Sequence, residues 1–264
     1  MTVRLFRFSG IRKQFTDGGI YVLSKEELDR YDRQVRLHKF GMDGQIKLKK
    51  TRAFVAGIGG LGSPVLSYLT VAGVGKISLA DSDKVELSNL NRQILHWNKD
   101  ISYNKAESAR DKLLEMNPNV NIRSLVEVIT KENASNLIGN SDLIVDCMDN
   151  YETRYLLNQV ALEKGIPLFH GAVYGFEGQV TTIIPGKTPC LRCIFPEAPP
   201  EEVFPVVGVT PGVIGCIQAM EVIKFVIGVG NLITNRLLVF DGIDMEFINI
   251  EIRKNPNCLE CGNR

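Results

Sequence analysis

The apolar run Ala53 to Ala56 leads straight into Gly57-Ile58-Gly59-Gly60-Leu61-Gly62, and a helix-like stretch follows. Nothing else in the chain restricts the fold as much. A G-x-G-x-x-G loop between a strand and a helix turns the backbone tightly. It also sets amide N–H groups and a helix N-terminus against an anion. Such a loop belongs at the carboxyl edge of a parallel sheet. Asp81 closes the next strand-like segment, Lys76 to Ala80, where an acid can accept from ribose hydroxyls. Asp83 stands next but one, with a solvated loop acid as its plain alternative. Alone, these signals specify a dinucleotide fold.

The segments around the loop agree. Strands are expected near 52–57, 76–81, 121–127, 142–147, 167–172, 177–184, 236–241 and 245–253. Helices are expected near 61–72, 104–116, 131–137, 151–164 and 212–227. This alternation implies an α/β fold, with a Rossmann-like, doubly wound, mostly parallel sheet and a C-terminal mixed portion. Ser24 with Glu27 reads as a capping box opening a helix over Lys25 to Phe40. Residues 1–24 lack periodicity and read as an N-terminal extension. Ile194 to Pro211, rich in Pro and Glu, reads as a loop without regular structure.

Charge excludes some classes. A net charge of +1 gives no electrostatic footprint for nucleic acid or an anionic membrane. Ala53 to Gly75 is uncharged over 23 residues, long enough to span a bilayer, but holds six glycines and a proline. Strand, loop and buried helix is the better account. Met1 to Gly10 has no apolar core long enough for a signal peptide, and a cytoplasmic location is expected.

Past the loop, the pattern departs from that of a hydride-carrier fold. Ser88-Asn89-Leu90-Asn91-Arg92-Gln93 is followed by Lys105 and then Asp149-Asn150. Two cations and a carboxylate near a phosphate loop suit a triphosphate with its metal ion. Lys105 opens a helix, where a cation opposes the dipole, so phosphate contact is the preferred role. Asp149-Asn150 follows the apolar strand Leu143 to Cys147, at the carboxyl edge of the sheet. A carboxylate there can hold magnesium against phosphate oxygens. A helix N-cap is the alternative, and the two residues can divide the two roles. Asp146 could replace Asp149 as metal ligand, but it lies within the strand.

Cys190-Leu191-Arg192-Cys193 and Cys258-Leu259-Glu260-Cys261 form two knuckles with the spacing of a closed, tetrahedral zinc site. Cys147 and Cys216 sit in apolar segments and read as buried core. His38, His96 and His170 are scattered, without metal-ligand spacing, and read as structural or surface.

Taken together these residues resemble the MoeB/ThiF/HesA family, bacterial and archaeal relatives of ubiquitin-activating enzymes. The likeness runs from about Arg30 to Gly262 and rests on R-Y-D-R-Q at 30–34, the glycine loop, D-S-D at 81–83, S-N-L-N-R-Q at 88–93, Lys105, D-C-M-D-N at 146–150 and both Cys pairs. The resemblance implies a ThiF-type adenylation domain over 25–264, with a nucleotide part near 51–165 and a carrier-binding and zinc part near 166–264. The implied reaction is attack of a Gly-Gly-ended, ubiquitin-like sulfur carrier's carboxylate on the α-phosphate of ATP. It also implies that Gly57, Gly59, Gly60, Gly62, Asp81, Asp83, Ser88, Asn89, Leu90 and Asn150 shape the nucleotide site. Asn91, Arg92 and Lys105 would hold phosphates, and Asp149 the magnesium. Arg33 matches a family arginine that reaches the triphosphate of the other subunit, which implies a homodimer.

One position departs from the family. Many relatives carry a cysteine in the loop after the first knuckle, and here Phe204 stands there, with no cysteine from Ile194 to Gly215. The pattern is closer to the HesA-type branch. A dinucleotide oxidoreductase and a non-catalytic scaffold of the same fold are the competing classes.

Overall fold

The computed structural model describes residues 23–199 and 205–262. Five strands form the parallel half of one sheet: β1 (Arg52–Ala56), β2 (Lys76–Ala80), β3 (Asn121–Leu125), β4 (Leu143–Asp146) and β5 (Leu168–Tyr174). Three more continue it antiparallel: β6 (Glu177–Ile183), β7 (Arg236–Asp241) and β8 (Glu246–Glu251). The order is β3-β2-β1-β4-β5-β6-β7-β8. The winding therefore reverses between β1 and β4, where open α/β sheets bind ligands. The expected α/β class, the parallel half and the mixed C-terminal portion are all present.

Both faces of the sheet are covered. Along β1, Ala53 and Val55 enter one core and Phe54 and Ala56 the other, the period of two that a strand imposes. On the first face lie α3 (Gly41–Lys50), α4 (Gly62–Ala72), α5 (Lys105–Met116) and α9 (Val209–Ile227). On the second lie α6 (Ala134–Ile138), α7 (Tyr151–Lys164) and α8 (Leu191–Ile194). By length and composition α9 could cross a membrane, yet half of its apolar window is buried. It packs on α4, β5 and β6 as a core helix.

Three expectations need correction. The helix expected over 25–40 is broken into α1 (Lys25–Arg30) and α2 (Asp32–Val35). The capping box is present, with Ser24 and Glu27 each accepting the other's amide. Tyr31 ends α1 because its ring is drawn into the core beside Gly73, and its hydroxyl accepts from Asn117 Nδ2 at 2.8 Å. Secondly, the segment expected to be irregular, Ile194 to Pro211, takes in the last residue of α8 and the first three of α9, while Phe204 lies outside the described residues. Thirdly, Cys147 is buried as expected but Cys216 is exposed. Helix α9 is apolar on nearly every side, so periodicity could not tell its inward face, Ile214, Gln218 and Val222, from the outward face of Cys216 and Met220.

The glycine loop is held by two close approaches. Gly57 has φ +87, and a Cβ there would lie 2.6 Å from the Cys147 carbonyl oxygen. A Cβ on Gly62 would lie 2.1 Å from the Gly57 carbonyl oxygen. Backbone cannot swing aside as a flexible side chain can. Gly62→Ala is therefore expected to lower unfolding free energy by about 1–3 kcal/mol. Urea denaturation checks this, and an unchanged midpoint would show that the loop yields.

Candidate nucleotide groove and four-cysteine site

The carboxyl ends of β1, β2 and β4 open onto a groove of about 1460 Å³. Gly57, Gly59 and Gly60 line it. Among the described residues, the amides of Gly59, Gly60 and Leu61 make no hydrogen bond within the chain. These donors, with the N-terminus of α4 just behind them, form an anion-binding cradle.

Asp81 shapes that cradle. Its Oδ2 accepts from the Ile58 amide at 2.8 Å and its Oδ1 from the Asp83 amide at 2.9 Å. Burial raises its pKa, against the pull of Lys105. Lys105 is itself buried at the first turn of α5, and its Nζ lies 2.9 Å from Asp83 Oδ2. A buried ammonium needs such a partner. Arg92 donates through Nη1 to the Ser88 carbonyl and to Asn91 Oδ1. Asp149 is exposed on the groove wall, and Asn150 caps α7 by accepting the Thr153 amide at 2.9 Å. Of the two roles left open for this pair, the structure gives the helix cap to Asn150.

The groove brings together Gly57, Gly59, Gly60, Asp81, Asp83, Ser88, Arg92, Lys105, Asp149 and Asn150. Asn89 lines an adjoining polar recess with Asp83 and Lys105. Gly62, Leu90 and Asn91 do not line the groove: Gly62 opens α4, and Asn91 supports Arg92. Arg33 stands exposed on α2, away from the lining of its own chain's groove. Asp146 is fully buried, accepting from His170 Nδ1 at 2.7 Å and from the Met148 amide. It faces its own strand neighbours, not the groove.

Sequence reasoning missed Arg154. It is 5% exposed, its Nη2 donates to the Met148 carbonyl at 2.8 Å, and its guanidinium lies 4.9 Å from the Tyr151 ring centroid. Its buried Nε has no partner among the described residues, and the side chain lines the groove. The signal was its place four residues after the cap Asn150, which puts it over the same end of α7. Arg192, inside the first knuckle, was also missed. It stacks 3.3 Å from the Tyr155 centroid and lines the far wall.

The four knuckle sulfurs lie within 4.8 Å of one another. Cys190 and Cys258 are 3.7 Å apart, Cys193 and Cys261 3.4 Å. A tetrahedron with metal–sulfur bonds of about 2.3 Å needs sulfurs about 3.8 Å apart, so the set fits zinc. Asn158, buried in α7, staples both knuckles: Oδ1 accepts the Leu191 amide at 2.9 Å and Nδ2 donates to Glu260.

A doubly wound sheet, a glycine loop with free amides at its switch point and a cluster of four thiols that could hold a metal together define an α/β protein with a candidate nucleotide groove. The ThiF family profile matches residues 31–260, and the chain belongs to that family. It is 44% identical over 246 residues to the SAMP-activating enzyme E1 of Haloferax volcanii, covering 91% of each chain. It is 41% identical over 251 residues to the sulfur carrier protein adenylyltransferase of Thermus thermophilus, covering 91% of this chain and 93% of that one. The solved structure of E. coli MccB with MccA-N7isoASN superposes with a TM-score of 0.81 at 23% identity, over 89% of this chain and 75% of that one. That last likeness is one of fold.

Burial pushes His96 down to about 4 and also lowers His170. An unfolded histidine takes up its proton near pH 6.5. Between that value and 4 the unfolded chain therefore binds more protons, and acidification favours unfolding. His96 alone accounts for about 3 kcal/mol lost over this window. The melting temperature should fall steadily from about pH 6.5 to pH 4, and His96→Gln should flatten part of the slope. A flat wild-type profile there would contradict the buried, neutral state of both rings.

Proposed function

We propose that this protein uses ATP and magnesium to adenylate the C-terminal carboxylate of a ubiquitin-like sulfur carrier ending in Gly-Gly. The observation that carries this is the convergence of the free loop amides, Arg92, Lys105 and Asp149 on one groove. Relatives named for this activity match along nearly the whole chain. One carrier carboxylate oxygen bonds to the α-phosphorus as the α–β bridging bond breaks, giving acyl-adenylate and pyrophosphate. An anion attacking an anion needs charge neutralisation and in-line placement more than an acid or base.

In this reading the amides of Gly59 and Gly60 hold phosphate oxygens, with Gly57 and Gly62 keeping the turn tight. Asp81 holds the ribose. Ser88, Asn89 and Leu90 form the wall that presents Asn91 and Arg92. Lys105 exchanges Asp83 for phosphate. Asp149 holds magnesium, which neutralises triphosphate charge, while Asn150 fixes the start of α7. Arg33 serves the groove of a partner subunit in a homodimer. Its exposure and its absence from the lining of its own groove support that role. Residues 25–264 act as one unit, with the nucleotide part near 51–165 and the carrier and zinc part near 166–264. The open face of β7 and β8, where Ile248 and Ile250 are exposed, suits an apolar patch on the carrier. A cytoplasmic location fits free thiols and an ATP substrate.

With a cognate carrier, pyrophosphate–ATP exchange should appear, and Asp149→Ala should abolish it. Mixing inactive Arg33→Ala and Asp149→Ala subunits should restore part of the exchange, because one groove of the mixed dimer keeps both groups. Wild-type exchange by Asp149→Ala alone would sink the assignment, and no recovery despite subunit exchange would place Arg33 in its own groove.

Zinc, held by Cys190, Cys193, Cys258 and Cys261, is structural here, since four thiolates leave no position for water. Protein purified without chelator should carry about one zinc per chain. Cys258→Ser should lower metal content and melting temperature together. Elemental analysis near zero for the native protein would refute the site.

A further inference from the structure

The glycine loop has a second tether besides Asp81. His96 is 3% exposed and sits beneath the loop. Its Nε2 lies 3.1 Å from the Ile58 carbonyl oxygen, and its Nδ1 lies 3.0 Å from Ser108 Oγ. A carbonyl oxygen only accepts, so Nε2 carries the proton. The ring is neutral, so Nδ1 is a lone pair and Ser108 donates to it. Ser108 Oγ in turn accepts from Lys112 Nζ at 2.8 Å, and Lys112 is ion-paired with buried Asp100. The chain of donors runs in one direction: Lys112 to Ser108, Ser108 to His96, His96 to Ile58.

We propose that His96 is a positioning residue for nucleotide binding, locking the Ile58–Gly59 peptide so that the Gly59 amide faces the groove. In a trans peptide the N–H and C=O point in opposite directions, and the described chain has no cis bonds. Fixing the Ile58 carbonyl downward on His96 therefore fixes the Gly59 N–H upward, toward the phosphates. A lock is needed because glycine on one side of that peptide lets it rotate at little steric cost. Asp81 cannot supply it. The Ile58 N–H that Asp81 holds belongs to the preceding peptide. The two tethers thus pin consecutive peptides of one loop, one by a carboxylate from the end of β2 and the other by an imidazole backed by Ser108 of α5. The buried hydrogen-bonded network behind His96 keeps the ring in the donating tautomer.

This inference rests on the groove being the ATP site, and the test separates the two. Wild-type protein is titrated with Mg-ATP by calorimetry. Absence of binding there defeats the functional reading itself, whatever His96 does. Given wild-type binding, His96→Leu, which keeps the bulk and removes the donor, should weaken ATP about tenfold, the worth of one well-placed hydrogen bond. The KM for ATP should rise by a similar factor while the KM for the carrier holds. His96→Gln, whose amide can reach the same carbonyl, should recover to within about threefold of wild type. Unchanged ATP affinity in folded His96→Leu overturns the proposal. So does an equal loss for ATP and carrier, which would mark a merely structural role. A measurement without mutation guards against a variant that does not fold. Long-range ¹⁵N–¹H spectra of the wild-type imidazoles should show His96 protonated on Nε2 only at neutral pH. A proton on Nδ1, or on both nitrogens, would refute the lock.

Discussion

Two hydrogen bonds to one carboxylate organise the functional end of this protein. Asp81 accepts from Ile58, in the loop after β1, and from Asp83, in the loop after β2. It thereby joins the ends of β1 and β2 on one side of the switch point. Burial costs the carboxylate its hydration, and two backbone donors offset part of that cost. With the carboxylate so placed, the loop amides face outward and Asp83 is brought beside Lys105. The glycine loop, Lys105 and the Asp81–Asp83 pair are in this sense parts of one arrangement.

A second arrangement links the groove to the thiol site. Helix α7 begins at the cap Asn150 beside Asp149, and its buried Asn158 holds both knuckles. Arg192, from inside the first knuckle, stacks on Tyr155 of the same helix and is paired with Glu260 from inside the second. The middle and the C-terminal end of the chain are thus brought onto the helix whose N-cap adjoins Asp149 of the groove. A metal held by the four thiols would act on the groove through α7 and through Arg192, which lines it.

Much of this was legible in the sequence, for a physical reason. Strand-loop-helix geometry around G-x-G-x-x-G leaves little freedom, and the unbroken apolar runs along 53–56 and 143–145 mark strands buried on both faces. β7 fell where it was expected, and α7 and β8 fell within two residues of expectation, because caps and turns bound them. The break at Tyr31 was not legible. Helix propensity and the capping box both favour continuation there, and only the pocket beside Gly73 and Asn117 rewards leaving the helix. The exposure of Cys216 was hidden likewise, since an almost wholly apolar helix has no polar side to mark its outward face.

The sequence by itself determined the class of fold, the glycine loop, the four clustered thiols and ten of the residues that line the groove. These follow from short-range rules: where glycine is required, where an acid ends a strand, how cysteines are spaced. Only the tertiary structure decided what each polar side chain is tied to. It gave Asn150 the cap and left Asp149 exposed, paired Lys105 with Asp83, and buried Asp146 against His170. It also set Arg154 in the groove and His96 under the loop. The reason is that burial and partnership arise between residues far apart in the chain, and a side chain's chemistry is set by those neighbours, not by its own position in the sequence.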